Sequence, residues 1–307
     1  MIQDHKPAGR ATLVIGVGGF GGQVARRLSG LLAMEPASQA TRVCVVDTDE
    51  GDITKATGAG ISSHLVSARG PNRLFGDNRI SNILRYRGNY GEHVAGFLSK
   101  LDLTDMLQVE SGAMTMPPVG DFLFEVGRSP LLEFLATQAV EISRDARVVH
   151  PILVGSAGGG TSAPGILRVA RMLGEAESRA CLIGGSAEAW RKPDIWFMPP
   201  VIQARALKTR TFQLRPLANA YAFVKEADQL SHERVIGNMF RFSPGNGQGA
   251  LATTVEEAAS MLADAILMQV HCAAAIDARL ADTFRVVSNE PGRRGVPLPA
   301  EPVGGAR

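Results

Sequence analysis

The chain has 307 residues, enough for one large α/β domain or two small ones. Its 32 Lys and Arg residues nearly balance 30 Asp and Glu, so the charge gives no reason to expect a nucleic-acid partner. Three scattered cysteines exclude a Cys-rich zinc site and are typical of free thiols in a reducing compartment. The short polar stretch 1–10 is no signal peptide, and the most apolar helical stretch, Ala258–Ile276, contains Asp264 and His271. We therefore expect a cytoplasmic protein without a membrane partner.

In the first half of the chain, apolar runs alternate with helical periodicity. The predicted elements are a strand over Ala11–Val17, a helix over Gly22–Met34, a strand over Arg42–Val46, helices near Ile80–Tyr86 and Glu92–Leu101, and a helix over Asp121–Val140. Apart from the helices near Ile80–Tyr86 and Glu92–Leu101, residues 51–110 combine a polar loop with a basic stretch.

The second half continues the alternation. The predicted elements are a strand over Val148–Gly155, a helix over Gly165–Leu173, a strand over Asp194–Met198, a helix over Arg215–Leu230, a strand over Arg234–Phe242, and a long helix over Thr253–Arg285 with Thr254 as N-cap. Alternation of this kind predicts a Rossmann-like, doubly wound, mostly parallel sheet with helices on both faces. We expect a flexible N-terminus over 1–10, one domain over 11–252, the long helix over 253–285, and a Pro- and Gly-rich disordered tail over 286–307.

The strongest local feature is a glycine-rich loop between the first strand and the first helix. It reads Gly16-Val-Gly-Gly-Phe-Gly-Gly-Gln23. Glycines let backbone N–H groups approach phosphate oxygens, and the start of the following helix favours their negative charge. Gly16-x-Gly18-x-x-Gly21, with Asp47 after the next strand, also satisfies the dinucleotide fingerprint. A tight turn without a ligand is the alternative.

A second glycine cluster, Gly155-Ser-Ala-Gly-Gly-Gly-Thr-Ser162, also follows a buried strand and precedes a helix. Three adjacent glycines cost much conformational entropy, and a bare turn needs only one or two. Two such units in one sheet predict a polyphosphate held from two sides.

Five motifs, in order, resemble those of the tubulin and FtsZ family over about residues 11–285. They are Gly16–Gln23 (first phosphate loop), Asp47-Thr-Asp49 (second-strand end), Gly112-Ala-Met-Thr-Met-Pro-Pro-Val-Gly120 (terminal-phosphate loop), Gly158-Gly-Gly-Thr161 (signature loop) and Ala263-Asp264 (guanine-pairing Ala-Asp). The resemblance implies the nucleotide-binding domain of that family over 11–252 and a long central helix, with the family's C-terminal β domain absent.

This resemblance implies a site for GTP or GDP, with Mg²⁺. The expected phosphate-binding residues are Gly18, Gly19, Gly21, Gly22, Gly112, Ala113, Gly158, Gly159, Gly160 and Thr161. Gln23 can reach the sugar or the base. Asp264 would accept from guanine N1–H and N2–H₂, which adenine cannot match; as a carboxylate expected to be buried it needs a partner, and an arginine is the alternative. Asp47 and Asp49 either hold Mg²⁺ through water or cap the next turn.

The chain also departs from the family pattern. Met114 and Met116 replace a glycine and an asparagine, Pro164 lacks an N–H group, and no ribose-binding Glu and Arg are recognisable after Pro199-Pro200. The family's acidic hydrolysis loop has no counterpart after the long helix. We therefore assign no catalytic and no metal-ligating residue. We expect weak or partner-dependent GTP hydrolysis, in assembly with itself, a tubulin-like partner or another protein.

Two alternatives stay open. A degenerate scaffold that lost its ligand and acts through protein contacts is favoured by Met114, Met116 and Pro164. An NAD-dependent Rossmann oxidoreductase fits the fingerprint and Asp47, but it lacks an evident catalytic His, Tyr-x-x-x-Lys or Cys and leaves residues 155–161 unexplained.

Overall fold

The computed structural model describes residues 8–34, 40–67, 113, 116–143, 146–175, 190–206, 210–242 and 252–272. Its elements are, in chain order, β1 Ala8–Val17, α1 Gly18–Met34, β2 Ala40–Asp47, α2 Glu50–Gly58, β3 Ser62–Leu65, α3 Pro117–Val126, α4 Arg128–Ser143, β4 Ala146–Ser156, α5 Ser162–Gly174, β5 Asp194–Met198, α6 Pro200–Ala206, α7 Arg210–His232, β6 Met239–Arg241 and α8 Val255–Cys272.

The strands form one sheet in the order β3-β2-β1-β4-β5-β6, and every neighbouring pair is parallel. The chain builds outward from β1 to β3 on one side and then returns to place β4 on the other side of β1. The carboxyl ends of β1 and β4 therefore form a topological switch point, where open α/β sheets usually bind their ligands.

Alternate residues of β1 face two different helical layers. Leu13, Ile15 and Val17 pack in a core with α3, α4, α5 and α7, whereas Val14 packs in a second core with α1, α6 and α8. A strand buried on both faces has no polar alternation, which explains why β1 is an almost uninterrupted apolar run. The predicted doubly wound, mostly parallel α/β fold is confirmed.

The boundaries of several predicted elements needed correction. One helix over Asp121–Val140 was wrong, because two helices meet at Gly127, where a Cβ would lie 2.9 Å from Val66 Cγ1. A strand over Arg234–Phe242 was also wrong: Arg234 adopts a φ of +58° after α7, and only Met239–Arg241 is strand.

Other elements were missed or remain outside the described residues. The sequence pattern did not predict α2, β3 or α6, which are short. The N-cap of α8 is confirmed, since Glu257 N donates to Thr254 Oγ1 at 3.1 Å and Glu257 Oε2 accepts from Thr254 N at 3.2 Å. The helices expected near Ile80–Tyr86 and Glu92–Leu101, and the end of the long helix beyond Cys272, lie outside the described part of the chain.

Candidate functional site

The N-termini of two helices meet at the switch point. Helix α1 begins at Gly18, directly after β1, and α5 begins at Ser162, soon after β4. Gly18 has a φ of +72°, and a Cβ there would lie 2.6 Å from Ser162 Oγ. The Ser162 hydroxyl donates to the Val17 carbonyl oxygen, which ties the two loops together. Since the first N–H groups of a helix have no partner within it, two sets of backbone donors converge here.

A cavity of about 280 Å³ lies at this junction. Its polar end is formed by Gly18, Gly19, Gly159, Gly160, Thr161 and Ser162, and its remaining described lining residues are Phe20, Gln23, Ser156, Met198, Gln203 and Val255. The Oε1 atom of Gln23 is buried without a hydrogen-bond partner. The cavity thus has a polar end lined by backbone groups, an apolar wall and an amide oxygen without a partner. Such a cavity suits a ligand that has an anionic part and a flat, partly apolar part.

Only some of the predicted phosphate-binding residues line this cavity. They are Gly18, Gly19, Gly159, Gly160 and Thr161, joined by Gln23. Gly21, Gly22, Ala113 and Gly158 are buried nearby but are not among its described lining residues, and Gly112 lies outside the described part of the chain.

Close packing accounts for two of the glycines without any ligand. A Cβ at Gly21 would lie 2.4 Å from the Val154 carbonyl oxygen, and one at Gly158 would lie 2.7 Å from Pro216 Cβ. The entropic argument for phosphate binding at the second cluster therefore has a competing cause at Gly158. The entropic argument still applies to Gly159 and Gly160, which line the cavity.

The second loop is held by a chain of hydrogen bonds. Asn219 Nδ2 donates to the Gly158 carbonyl oxygen at 3.0 Å, Gly158 N donates to Ser156 Oγ at 3.2 Å, and Ser156 Oγ donates to Gln203 Oε1 at 2.7 Å. Gln203 was missed by the sequence reasoning, which looked for a Glu and an Arg after Pro199-Pro200. An amide three residues after Pro200 was the available signal.

Pro164 does not disturb the start of α5. It occupies the first turn, where the helix leaves N–H groups unpaired, so the missing N–H removes no bond of the helix. Because proline has no N–H group, the start of α5 offers a ligand one backbone donor fewer.

The carboxyl end of β2 places two aspartates beside the cavity. Asp49 caps α2, since its Oδ1 accepts from Asp52 N at 3.0 Å. Asp47 Oδ1 accepts from Thr48 N at 2.7 Å and from Asp49 N at 3.2 Å, whereas its Oδ2 is buried without a partner. Burial raises the pKa of Asp47 to about 7; the backbone hydrogen bonds from Asp49 and Thr48 oppose the rise, and the charges of Asp52 and Asp49 add to it.

Asp264 has a different environment from the one expected. The premise that it is buried was wrong: it is exposed, on the side of α8 opposite Leu262, Ile266 and the rest of the core stripe. It makes no ion pair with a described residue, so the arginine alternative finds no support in the described part of the chain. It lies nine residues from Val255, about 13 Å along the helix axis, and it is not among the described residues lining the cavity.

Neither a protein-family model nor a curated protein sequence matches the chain. Among solved structures, CetZ1 of Haloferax volcanii, a GDP-bound monomer of the tubulin and FtsZ family, is similar with a TM-score of 0.51 and 12% identity. The similarity covers 89% of this chain and 63% of CetZ1. The chain has a tubulin-like fold.

Two further solved structures are less similar to the chain. CetZ of Methanosaeta thermophila strain DSM 6194 has a TM-score of 0.46 at 14% identity, covering 91% of this chain and 60% of the CetZ chain. An NADP complex of the FolM reductase of Brucella canis reaches a TM-score of 0.24 at 9% identity, over 75% of this chain and 91% of that one. This tubulin-like chain thus spans less than two thirds of either CetZ protein. In its described residues, no helix is long and apolar enough to cross a membrane.

Proposed function

We propose that the tubulin-like chain binds a guanine nucleotide, GTP or GDP, at the switch point between β1 and β4. The contact between Gly18 and Ser162 carries this proposal, because it brings the N-termini of α1 and α5 to one cavity. Two converging helix N-termini place unpaired donors and partial positive charge where a polyphosphate needs them. The GDP bound to CetZ1 supports a guanine nucleotide in preference to other ligands.

We propose that some of the described residues bind the phosphates and others bind the nucleoside. Gly18, Gly19, Gly160 and Thr161 line the polar end of the cavity and would offer backbone N–H groups to the phosphates, with the Thr161 hydroxyl as a further donor. Gly159 also lines this end, but its N–H already donates to the Ser156 carbonyl oxygen at 3.4 Å. Gln23 and Gln203 offer amide groups toward the sugar or base. Gly21, Gly22, Ala113 and Gly158 are buried and do not line the cavity, so we propose that they support its walls.

Mg²⁺ fits this site as a companion of the phosphates. No group of three His, Cys, Asp or Glu side chains in the described residues is arranged to hold a metal alone. Asp47 Oδ2 has no hydrogen-bond partner, and Thr48, the next residue, contacts Thr161 of the cavity lining; together these oxygens would suit a hydrated Mg²⁺ beside phosphate. Such an ion would neutralise charge between Asp47 and the phosphates.

Hydrolysis by the isolated chain should be slow. The cavity has no carboxylate and no imidazole among its described lining residues, so none of them can position an attacking water as a base. We propose that turnover needs a residue supplied by a second copy, a tubulin-like protein or another partner, and that the protein acts in such assemblies in the cytoplasm.

The decisive test is calorimetric and thermal-shift titration with GDP, GTP, ATP and NAD⁺, each with Mg²⁺. A hundredfold excess over Kd should add about 2.7 kcal/mol of stability, or about 5–10 °C in melting temperature. Gly18→Ala should weaken binding, because Gly18 has a φ of +72° and its Cβ would lie 2.6 Å from Ser162 Oγ at the polar end of the cavity. Gly30→Ala, with no atom within 4 Å of the new Cβ, is the matched control.

Other results of this titration would select other functions. A shift with NAD⁺ alone would favour the oxidoreductase. No shift with any nucleotide would favour the degenerate scaffold, for which the packing roles of Gly21 and Gly158 are the supporting observation.

A further inference from the structure

A second and larger cavity, here called the groove, lies between α3, α5 and α7. Its volume is about 630 Å³, within the range of pockets that bind small organic molecules. Pro117, Pro164, Leu167 and Phe223 supply apolar surface, and Glu226 and Asn219 supply polar groups. None of these residues lines the cavity at the switch point, which is called the cleft from here on.

The two arginines that line the groove are already neutralised. Arg168 Nε and Nη2 donate to the two oxygens of Asp121 at 2.6 and 3.0 Å, and its Nη1 donates to Glu125 at 2.6 Å. Arg171 Nη1 pairs with Glu175 and with Glu233, each at 3.2 Å. Each guanidinium group is thus shared by two carboxylates, so neither arginine offers an unpaired positive charge to an anionic ligand in the groove.

Glu226 is the carboxylate without a partner. It lines the groove and makes no hydrogen bond or ion pair with a described residue. Burial raises the pKa of Glu226, and the charge of Asp121 adds to this rise, while Arg171 and Arg168 oppose it. Glu226 is exposed on α7 at the edge of the groove, and an unpaired carboxylate beside another carboxylate gains from a cationic ligand.

We propose that the groove is a second ligand site, which binds an organic cation with an apolar body and one ammonium group. The ammonium group pairs with Glu226, and the apolar body packs against Pro117 and Pro118, which are partly exposed. Neither neutral nor anionic molecules of the same shape satisfy both parts of this surface.

The groove is also connected to the nucleotide cleft. Asn219 lines the groove and begins the hydrogen-bond chain through Gly158 and Ser156 to Gln203, which lines the cleft. Pro164 lines the groove two residues after Ser162 lines the cleft. A groove ligand therefore changes nucleotide affinity, and this part of the inference rests on the proposed function.

Binding is tested without nucleotide, by NMR titration of the whole chain with 4-phenylbutylamine and its neutral analogue 4-phenylbutanol. We expect the amine to bind at least about tenfold more tightly than the alcohol, since it forms a charge-assisted hydrogen bond. Glu226→Gln should remove that advantage. Asp228→Asn, an exposed carboxylate on the other side of α7, should retain it. Equal binding of amine and alcohol, equal amine affinity in Glu226→Gln and the parent chain, or no saturation at about 10 mM amine overturns the proposal.

Coupling is tested by measuring GDP affinity with and without saturating amine. We expect at least a threefold change in the parent chain and none in Asn219→Ala, which lacks the first donor of the chain. An unchanged GDP affinity in the parent chain overturns the coupling. Absence of GDP binding altogether overturns the proposed function instead, while the amine titration still decides the groove.

Discussion

The hydroxyl oxygens of Thr48 and Thr161 lie 2.6 Å apart. Thr48 follows β2 and Thr161 precedes α5, so the contact joins the ends of two strand–helix connections that are separated in the sheet by β1. Thr161 lines the glycine-rich end of the cavity, and Thr48 directly follows Asp47, whose Oδ2 has no hydrogen-bond partner. The contact closes one side of the proposed phosphate site.

Thr161→Val should weaken nucleotide binding about tenfold. The change keeps the shape of the side chain but removes its hydroxyl and leaves Thr48 without this partner. Calorimetry with GDP and Mg²⁺ measures the effect, and Thr161→Ser, which keeps the hydroxyl, should stay near the parent affinity. If Thr161→Val and Thr161→Ser bind GDP alike, Thr161 acts only as a spacer.

Asp47→Asn should flatten the pH dependence of stability. With a pKa near 7 when folded and an ordinary value of 3.8, Asp47 binds more protons in the folded than in the unfolded chain between these limits. The free energy of unfolding therefore falls as pH rises from about 4 to 7, by a few kcal/mol from this group, and this loss persists above pH 7.

Asparagine can still accept from Thr48 N and Asp49 N, and it carries no charge to bury. Urea denaturation without nucleotide at pH 5 and pH 8 checks the prediction: relative to the parent chain, Asp47→Asn should gain stability at pH 8. An identical difference at both pH values would contradict it.

Two glycine-to-alanine changes should have opposite signs. Gly30 is exposed inside α1 with open space around its Cβ position, so alanine should raise the free energy of unfolding by about 0.5–1 kcal/mol. At Gly174 a Cβ would lie 2.0 Å from the Val235 carbonyl oxygen, and alanine should lower stability by about 2 kcal/mol. Denaturant unfolding compares the two variants; equal effects would contradict the packing described for α5.

Asp264→Asn tests how the base is recognised. If the exposed carboxylate pairs with guanine, the variant should lose about tenfold in GDP affinity and change little with ADP. Glu256→Gln, an exposed acidic residue in the first turn of the same helix, controls for the loss of one charge. An unchanged ratio of GDP to ADP affinity would assign base recognition to Gln23 or Gln203 instead.

Much of the fold was predictable because long periodic segments define their own element type. β5 was predicted with its observed bounds, and α1, β1 and β4 differ only at their ends. One error falls at Gly127, which divides a periodic stretch into two helices at a position where Val66 leaves no room for a Cβ.

The candidate site was predictable to the level of its two glycine loops. Local sequence identifies loops that can approach phosphate, but it does not say which glycine faces a ligand and which faces a neighbouring helix. Gly159 faces the cavity and Gly158 faces Pro216, although the two are adjacent and identical in type. The amide of Gln203 could have been noticed after Pro199-Pro200, but not its hydrogen bond with Ser156, which lies 47 positions earlier.

The sequence by itself determined the alternation of strands and helices, the two glycine loops and the capping of α8, because each depends on residues close together in the chain. Only the tertiary structure decided which loops meet, and that Asp264 is exposed whereas Asp47 is buried with one carboxyl oxygen unpaired. It also decided that a groove lined by Glu226 lies beside the cavity at the switch point. These properties depend on the order of strands in the sheet and on helices packed from distant parts of the chain, which no local pattern encodes.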